Sequence, residues 1–272
     1  MKAVILVAGK GTRMRSGSEL GAVPISAEQK READAGRKAL IPFHGHPFLS
    51  YVLSELADGG IREVCLVVGP DPDDPIRRHF EGLSTERLGI RFAVQDRPRG
   101  SAHALQTTRG FAGGQPVMVM NGDNLYPSEV VEAVRQLPGH GLAGFRPESL
   151  IGGTITRERL SAFALIARDE SDHLKAIVEK PAPEARRSWG LGEDALVSMT
   201  CWRFEPEIFE ACLGLSPSIR GEFEIPDAVM RLVRDEGRKV QVVPVAASVL
   251  DLTHRRDIPV VEEALRGRTV RL

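Results

Sequence analysis

Leu6-Val7-Ala8-Gly9-Lys10-Gly11-Thr12-Arg13-Met14 sits at the end of an apolar run that begins at Ala3. A short continuous apolar run entering a glycine turn reads as a buried strand that delivers a loop. Glycines at such a turn let backbone N–H groups come close to an anion, and successive amides form a cradle for it. Arg13 adds a fork of charged donors. Two familiar phosphate loops are excluded. Gly-Lys-Ser/Thr after four intervening residues is absent, and the third glycine of Gly-x-Gly-x-x-Gly would fall at position 14, which is Met14. The missing glycine also counts against a nicotinamide-dependent dehydrogenase.

Outward from this loop, apolar runs recur at Glu63–Val68, Ile90–Val94, Val117–Met120 and Leu142–Phe145. Helical signals lie between them. A helix follows Pro47 to about Asp58-Gly59-Gly60, Ser101 caps a helix through Thr108, and Pro127-Ser128 opens one through Leu137. Strands alternating with helices predict an α/β fold, a Rossmann-like, mostly parallel sheet with helices on both faces. The second half reads as strands Phe163–Ala167, Leu174–Glu179, Ala195–Phe204 and Lys239–Val245. Helical stretches follow near Pro206–Leu213 and Glu222–Glu236, with a last helix from Asp257, its cap, to about Leu265. These extend the sheet and add a smaller, substrate-covering subdomain within one domain, 1–272. About 1–145 form the half that carries the glycine loop, about 146–255 a sheet-extending half, and about 256–272 a C-terminal helix. The polar stretch Ser16–Arg37 is a long excursion beside the glycine loop, with Ser26 and Gln29 spaced as a capping box.

Composition bounds the function. The chain has 272 residues, of which 42% are hydrophobic and 27% charged, as in ordinary globular proteins. A formal net charge of -1 gives no global field toward nucleic acid or an anionic membrane, so neither is expected as a partner. No run spans a bilayer or resembles a signal peptide, and three cysteines without a C-x-x-C pair suit buried thiols in the cytoplasm. A homo-oligomer is compatible with this composition.

Met120-Asn121-Gly122-Asp123-Asn124 places a carboxylate just past a strand, where ligands bind in open parallel sheets. If that strand neighbours the first, Asp123 faces the glycine loop, and a carboxylate beside phosphates can hold Mg²⁺. Asp251, between a strand and the last helix, is a second candidate ligand. Glu179-Lys180-Pro181 ends a strand with a carboxylate that can accept from hydroxyls and an ammonium suited to a phosphate, although in isolation such a tripeptide more often is a surface pair before a turn.

In this order the pieces resemble the sugar-1-phosphate nucleotidyltransferases, the thymidylyl-, uridylyl- and guanylyltransferases. The resemblance runs through Leu6–Met14, Lys38–Phe48, Gln95–Leu105, Gly122-Asp123-Asn124, Glu179-Lys180-Pro181, Gly221–Asp227 and Asp251-Leu252-Thr253. It implies that about 1–145 are the nucleotide-binding half and that the smaller subdomain in about 146–255 is sugar-binding, with a triphosphate loop of Ala8, Gly9, Gly11, Thr12 and Arg13, and a phosphate-steadying Lys38. Gln95, Gly100 and Ser101, with His103 nearby, then lie at the base. Asp123 and Asp251 hold Mg²⁺, with Asp123 also at the nucleotide, and Asn124, Glu179, Lys180 and Ser198 lie at the sugar phosphate. Arg13, Lys38, Asp123 and Lys180 are the expected catalytic residues. The implied reaction joins UTP or dTTP to a hexose 1-phosphate such as glucose 1-phosphate. Guanylyl transfer to mannose 1-phosphate and a non-catalytic regulatory subunit are the alternatives. Three features depart from the family pattern. Ser198-Met199-Thr200 stands where many members have Asn-Ala-Gly, Phe163-Ala164 replaces an aromatic-Gly pair, and Ala39 follows the lysine where thymidylyl members often have Gln.

Overall fold

The computed structural model describes residues 1–16, 23–218 and 221–272. Nine strands form the main sheet: β1 (Lys2–Leu6), β2 (Glu63–Val68), β3 (Gly89–Val94), β4 (Val117–Asn121), β5 (Gly141–Phe145), β6 (Ala164–Arg168), β7 (Leu174–Val178), β8 (Val197–Phe204) and β9 (Gln241–Val245). The main path runs β7-β6-β8-β4-β1-β2-β3, with β5 paired to β8 and β9 to β5. Strands β3, β2, β1 and β4 are mutually parallel, whereas β8 runs antiparallel to β4, β5 and β6.

The strands are apolar on both faces because both faces are covered. Side chains alternate across a strand. Ala3, Ile5, Val64, Leu66, Met118 and Met120 therefore enter one core, and Val4, Cys65, Val67, Val117 and Val119 the other. Helices Phe48–Asp58 and Ser128–Arg135 cover the first face, while Ser101–Gln106, Glu207–Leu213 and Ile225–Arg234 cover the second. Each fully buried Val or Leu in these layers contributes about 1.5–3 kcal/mol relative to exposure. Among the described residues no helix is long and apolar enough to cross a membrane.

The strand and helix expectations hold to within a few residues, and the capping box at Ser26 is present in both halves. The Ser26 hydroxyl accepts from Gln29 N–H at 3.1 Å, and Gln29 Oε1 accepts from Ser26 N–H at 3.0 Å. Two caps differ. Gly100, at φ 104°, holds the N-cap position of the helix after the third strand, and the Ser101 hydroxyl instead accepts from Ile225 N–H at 2.9 Å. Asp257 is already helical. Its carboxylate turns back to accept from Thr253 and His254 N–H, leaving the last helix without a side-chain cap. The helix Pro75–Glu81, capped by Asp74, was not anticipated. Within the excursion, residues 17–22 lie outside the described residues, and Ala27–Asp34 is helical.

Strand β8 changes neighbours along its length. Val197 and Ser198 pair with β6, while Cys201–Phe204 pair with β4. The register against β5 shifts between Ser198 and Trp202. Thr200 sits in this bulge at φ 61°, a left-handed conformation rare for a β-branched residue. The buried Tyr126 hydroxyl donates to the Met199 and Thr200 carbonyls and holds the bulge in place.

Two measurements follow. Left-handed backbone costs a non-glycine residue roughly 1–2 kcal/mol, partly offset by the extra chain entropy of glycine. Thr200→Gly is therefore expected to stabilise the fold by about 0.5–1 kcal/mol in urea unfolding; a loss of stability would show that the threonine side chain outweighs the strain. Cys65, Cys201 and Cys212 are buried and unpaired, and burial pushes all three thiols up, Cys65 and Cys212 to about 12. A chromogenic thiol reagent should find no fast-reacting thiol in the native protein and all three after denaturation.

Candidate functional site

Because β1 to β4 are parallel, their carboxyl ends open on one edge. Strand β1 lies between β2 and β4, so the chain winds one way from β1 to β2 and the other way to β4. That reversal opens a crevice where ligands of open sheets bind. The loops continue the ladder before they diverge: Val7 N–H donates to Val67 O at 3.2 Å and Gly122 N–H to Leu6 O at 3.0 Å. A Cβ on Gly122 would stand 2.4 Å from Val7 Cγ1, so only glycine lets the fourth strand turn this close to the first loop.

The glycine loop Ala8–Gly11 leads into the short helix Thr12–Arg15. Gly11 adopts φ 57°, and a Cβ there would stand 2.2 Å from Gly36 O. The returning end of the excursion thus packs directly on the loop. Arg255 pins the other side by donating to Met14 O at 2.9 Å. The Arg13 side chain is exposed and has no partner among the described residues.

Immediately after Gly36 the chain forms a single 3-10 turn, Lys38–Leu40. This turn carries Lys38 Nζ to 2.8 Å from Asp123 Oδ2, joining residues 85 apart in sequence. Asp251 arrives on the other side of Asp123. Leu250–Asp251 pairs antiparallel with Asn124–Leu125, with Asp251 opposite Asn124, and Leu252 N–H donates to Asp123 O at 2.9 Å. The two candidate carboxylates therefore lie on paired segments.

Their surroundings differ. Asp123 retains 27% side-chain exposure, Asp251 only 8%. Asp251 Oδ1 takes a salt bridge from Arg159 at 2.8 Å and Oδ2 accepts from Asn124 Nδ2 at 3.2 Å. Arg159 also reaches Asp257 Oδ1 at 2.9 Å. Burial pushes the Asp257 carboxyl up, against the lowering effect of the His254 and Thr253 N–H groups and of Arg159. No sequence motif marks Arg159, an arginine in a polar stretch, and nothing in its spacing points to a partner 92 residues on. Asp123 Oδ1, the oxygen that Lys38 does not take, could serve Mg²⁺, which needs one or two carboxylates beside phosphate oxygens and water, whereas Asp251 would have to share oxygens already held by Arg159 and Asn124. Among the described residues no group of three or more His, Cys, Asp or Glu side chains converges.

At the end of β3, Gln95 N–H donates to Val68 O at 2.9 Å and the side chain is buried. Its Nε2 donates to Gly100 O at 3.0 Å. Gly100 fits only as glycine, since a Cβ would stand 2.3 Å from Phe223 O. Ser101 begins the helix that follows. Of the expected sugar-phosphate residues, Glu179 and Lys180 are exposed with no partner among the described residues, and Lys180 holds φ 39°. Ser198 pairs through its backbone with Gly144 and Ala164. Asn124 is buried, its amide directed to Asp251.

A family profile described as nucleotidyl transferase matches residues 2–251. The chain is 27% identical to UTP–glucose-1-phosphate uridylyltransferase AglF of Haloferax volcanii, over 99% of this chain and 98% of that protein. It is 32% identical to a glucose-1-phosphate thymidylyltransferase of Streptomyces griseus, over 89% of this chain and 59% of that protein. A UDP-glucose pyrophosphorylase crystallised with UDP-glucose superposes at TM-score 0.71, covering 98% of this chain and 99% of the other at 18% identity, a likeness of fold. With a glycine loop, a lysine–aspartate pair and a buried glutamine gathered at one sheet edge, and the profile running through nearly all of these elements, the chain belongs to the nucleotidyl transferase family.

Proposed function

We propose that the chain transfers a nucleotidyl group from a nucleoside triphosphate to a sugar 1-phosphate, with UTP or dTTP and glucose 1-phosphate as the best-suited pair. The observation that carries this reading is the Lys38–Asp123 pair at the switch point, beside the glycine loop and on the same edge as Gln95. The two relatives named above, which act on glucose 1-phosphate with UTP or as thymidylyltransferase, support the substrate pair.

In this reaction an oxygen of the sugar phosphate attacks the α-phosphorus. A new P–O bond forms as the bond to pyrophosphate breaks, and the products are a nucleoside diphosphate sugar and pyrophosphate. The attacking phosphate is already ionised near neutral pH, so no general base is needed. Positioning and charge neutralisation carry the catalysis. The amides of Ala8 to Thr12 and the Arg13 fork suit the triphosphate, Lys38 the reacting phosphates, and Glu179 and Lys180 the sugar and its phosphate. Asp123 and Asp251 would hold Mg²⁺, which supplies neutralisation of phosphate charge when bound. The buried, unpaired thiols suit the reducing cytoplasm.

The base edge sharpens the choice of nucleotide. Gly100 N–H has no hydrogen-bond partner among the described residues, and Gln95 Oε1 has none either. A donor beside an acceptor matches the C=O and N–H of uracil or thymine. Guanine presents the same pair, which keeps guanylyl transfer to mannose 1-phosphate as the second reading.

The test is a pyrophosphate-release grid of ATP, CTP, GTP, UTP and dTTP against a panel of sugar 1-phosphates with Mg²⁺. Turnover is expected with UTP or dTTP and glucose 1-phosphate; silence across the grid would reject catalysis and leave a regulatory subunit. Asp123→Asn should keep the circular dichroism spectrum and lower kcat by roughly 100- to 1,000-fold. Near-normal turnover in that variant would remove Asp123 from the mechanism.

A further inference from the structure

Gln95 is 6% exposed, and a primary amide that deeply placed must have its hydrogen bonds accounted for. Its nitrogen has two N–H bonds. One goes to Gly100 O at 3.0 Å, and Nε2 also lies 3.2 Å from His103 Nδ1. A carbonyl oxygen only accepts, so the amide nitrogen must be the atom that faces Gly100. With Nε2 a donor, His103 Nδ1 must be the acceptor, which puts the imidazole proton on Nε2. That second nitrogen stands 3.8 Å from Asp96 Oδ1, a neighbour that favours this tautomer. Both amide hydrogens are thereby committed. The oxygen is the remaining atom, and it is not among the buried, unpartnered polar atoms of the described residues, so it is open to a ligand.

We infer that His103 is a specificity-determining positioning residue: by accepting from Gln95 Nε2 it holds Gln95 Oε1 toward the base as an acceptor. An inverted amide would set its oxygen against the Gly100 carbonyl and, with Asp96 keeping the imidazole proton on Nε2, against the lone pair of His103 Nδ1. The orientation enforced favours bases with a ring N–H next to a carbonyl. Cytosine and adenine offer a ring nitrogen lone pair in that place, with an amino group beside it, and would meet an acceptor with an acceptor. His103 touches neither phosphate nor sugar in this scheme and acts through Gln95 alone. The inference rests on the nucleotidyl-transfer reading for the base class that it names.

The experiment compares UTP with CTP in the whole protein, by kcat/KM and, in parallel, by calorimetric binding of each nucleotide. His103→Leu removes the acceptor. It should lower the UTP-to-CTP ratio about fivefold to tenfold, the worth of one neutral hydrogen bond, mainly through KM and Kd. His103→Asn, whose side-chain oxygen can stand where Nδ1 stood, should restore the ratio. An unchanged ratio in a folded His103→Leu protein overturns the inference, as does a loss that His103→Asn fails to restore. Absence of turnover in the wild type, with UTP still bound in preference to CTP and the preference still lost in His103→Leu, would defeat the catalytic reading and leave the positioning role standing.

Discussion

The site depends on one pairing of backbones. β1 and β4 run parallel and in register from Lys2 opposite Val117 to Leu6 opposite Asn121. Chain segments more than a hundred residues apart therefore reach the edge of the sheet side by side. The glycine loop leaves one strand and Gly122-Asp123 the other, with Gly122 bare enough to touch Val7. A slip of one residue would turn Val4 and Val119 out of one core and Ile5 and Met120 out of the other, reversing every side chain on the strand that slipped. The apolar alternation that fills both cores thus also sets the position of the carboxylate. Fold and site share the same determinant.

Burial then divides the acidic groups into two kinds. The Lys38–Asp123 pair leaves part of its carboxylate in water, with Asp123 27% exposed against 8% for Asp251, so separating it costs less than breaking a sealed pair. In the proposed reaction its partners would be reassigned at less cost as phosphates and a cation bind. The Arg159 bridge to Asp251 and Asp257 is nearly sealed, and removing one member of such a buried pair costs about 3–5 kcal/mol. Asp251 is therefore fixed in place, while Asp123 is free to exchange its counter-ion. For a reaction that must neutralise two anions as they approach, one rigid and one exchangeable carboxylate is a sound division. Arg13 and Lys180 complete it, since neither is committed to a carboxylate among the described residues.

What the sequence made legible was whatever leaves a local pattern. Continuous apolar runs announced a sheet covered on both sides, and the Ser26 and Gln29 spacing announced a helix start with both its hydrogen bonds. Glycine spacing and the acidic residue after the fourth strand located the crevice. What stayed hidden was contact between distant segments. Arg159 carries no motif, and Asp257 looked like a cap because a sequence does not show that its carboxylate turns backward. Ser101 looked like another cap, and its true partner lies 124 residues away. Thr200 is hidden for the opposite reason. Its residue type argues against the left-handed backbone that the change of strand neighbours imposes.

The segment Gly221–Asp227 shows how a collinear motif can act without touching chemistry. Phe223 N–H donates to Arg99 O at 2.7 Å, Ala102 N–H donates to Phe223 O at 2.9 Å, and Ile225 N–H donates to the Ser101 hydroxyl. Three hydrogen bonds clamp the turn on both sides of Gly100, and Phe223 O occupies the space that a Cβ on Gly100 would need. Gly100 is in turn what Gln95 Nε2 bonds. The edge proposed to meet the base is therefore set by a strut from the far half of the chain, through backbone atoms whose side chains could vary. A substitution at Gly100 would push on Phe223 first and reach Gln95 through it, so the placing of Gln95 and the docking of the Ile225–Arg234 helix are mechanically one property of this fold.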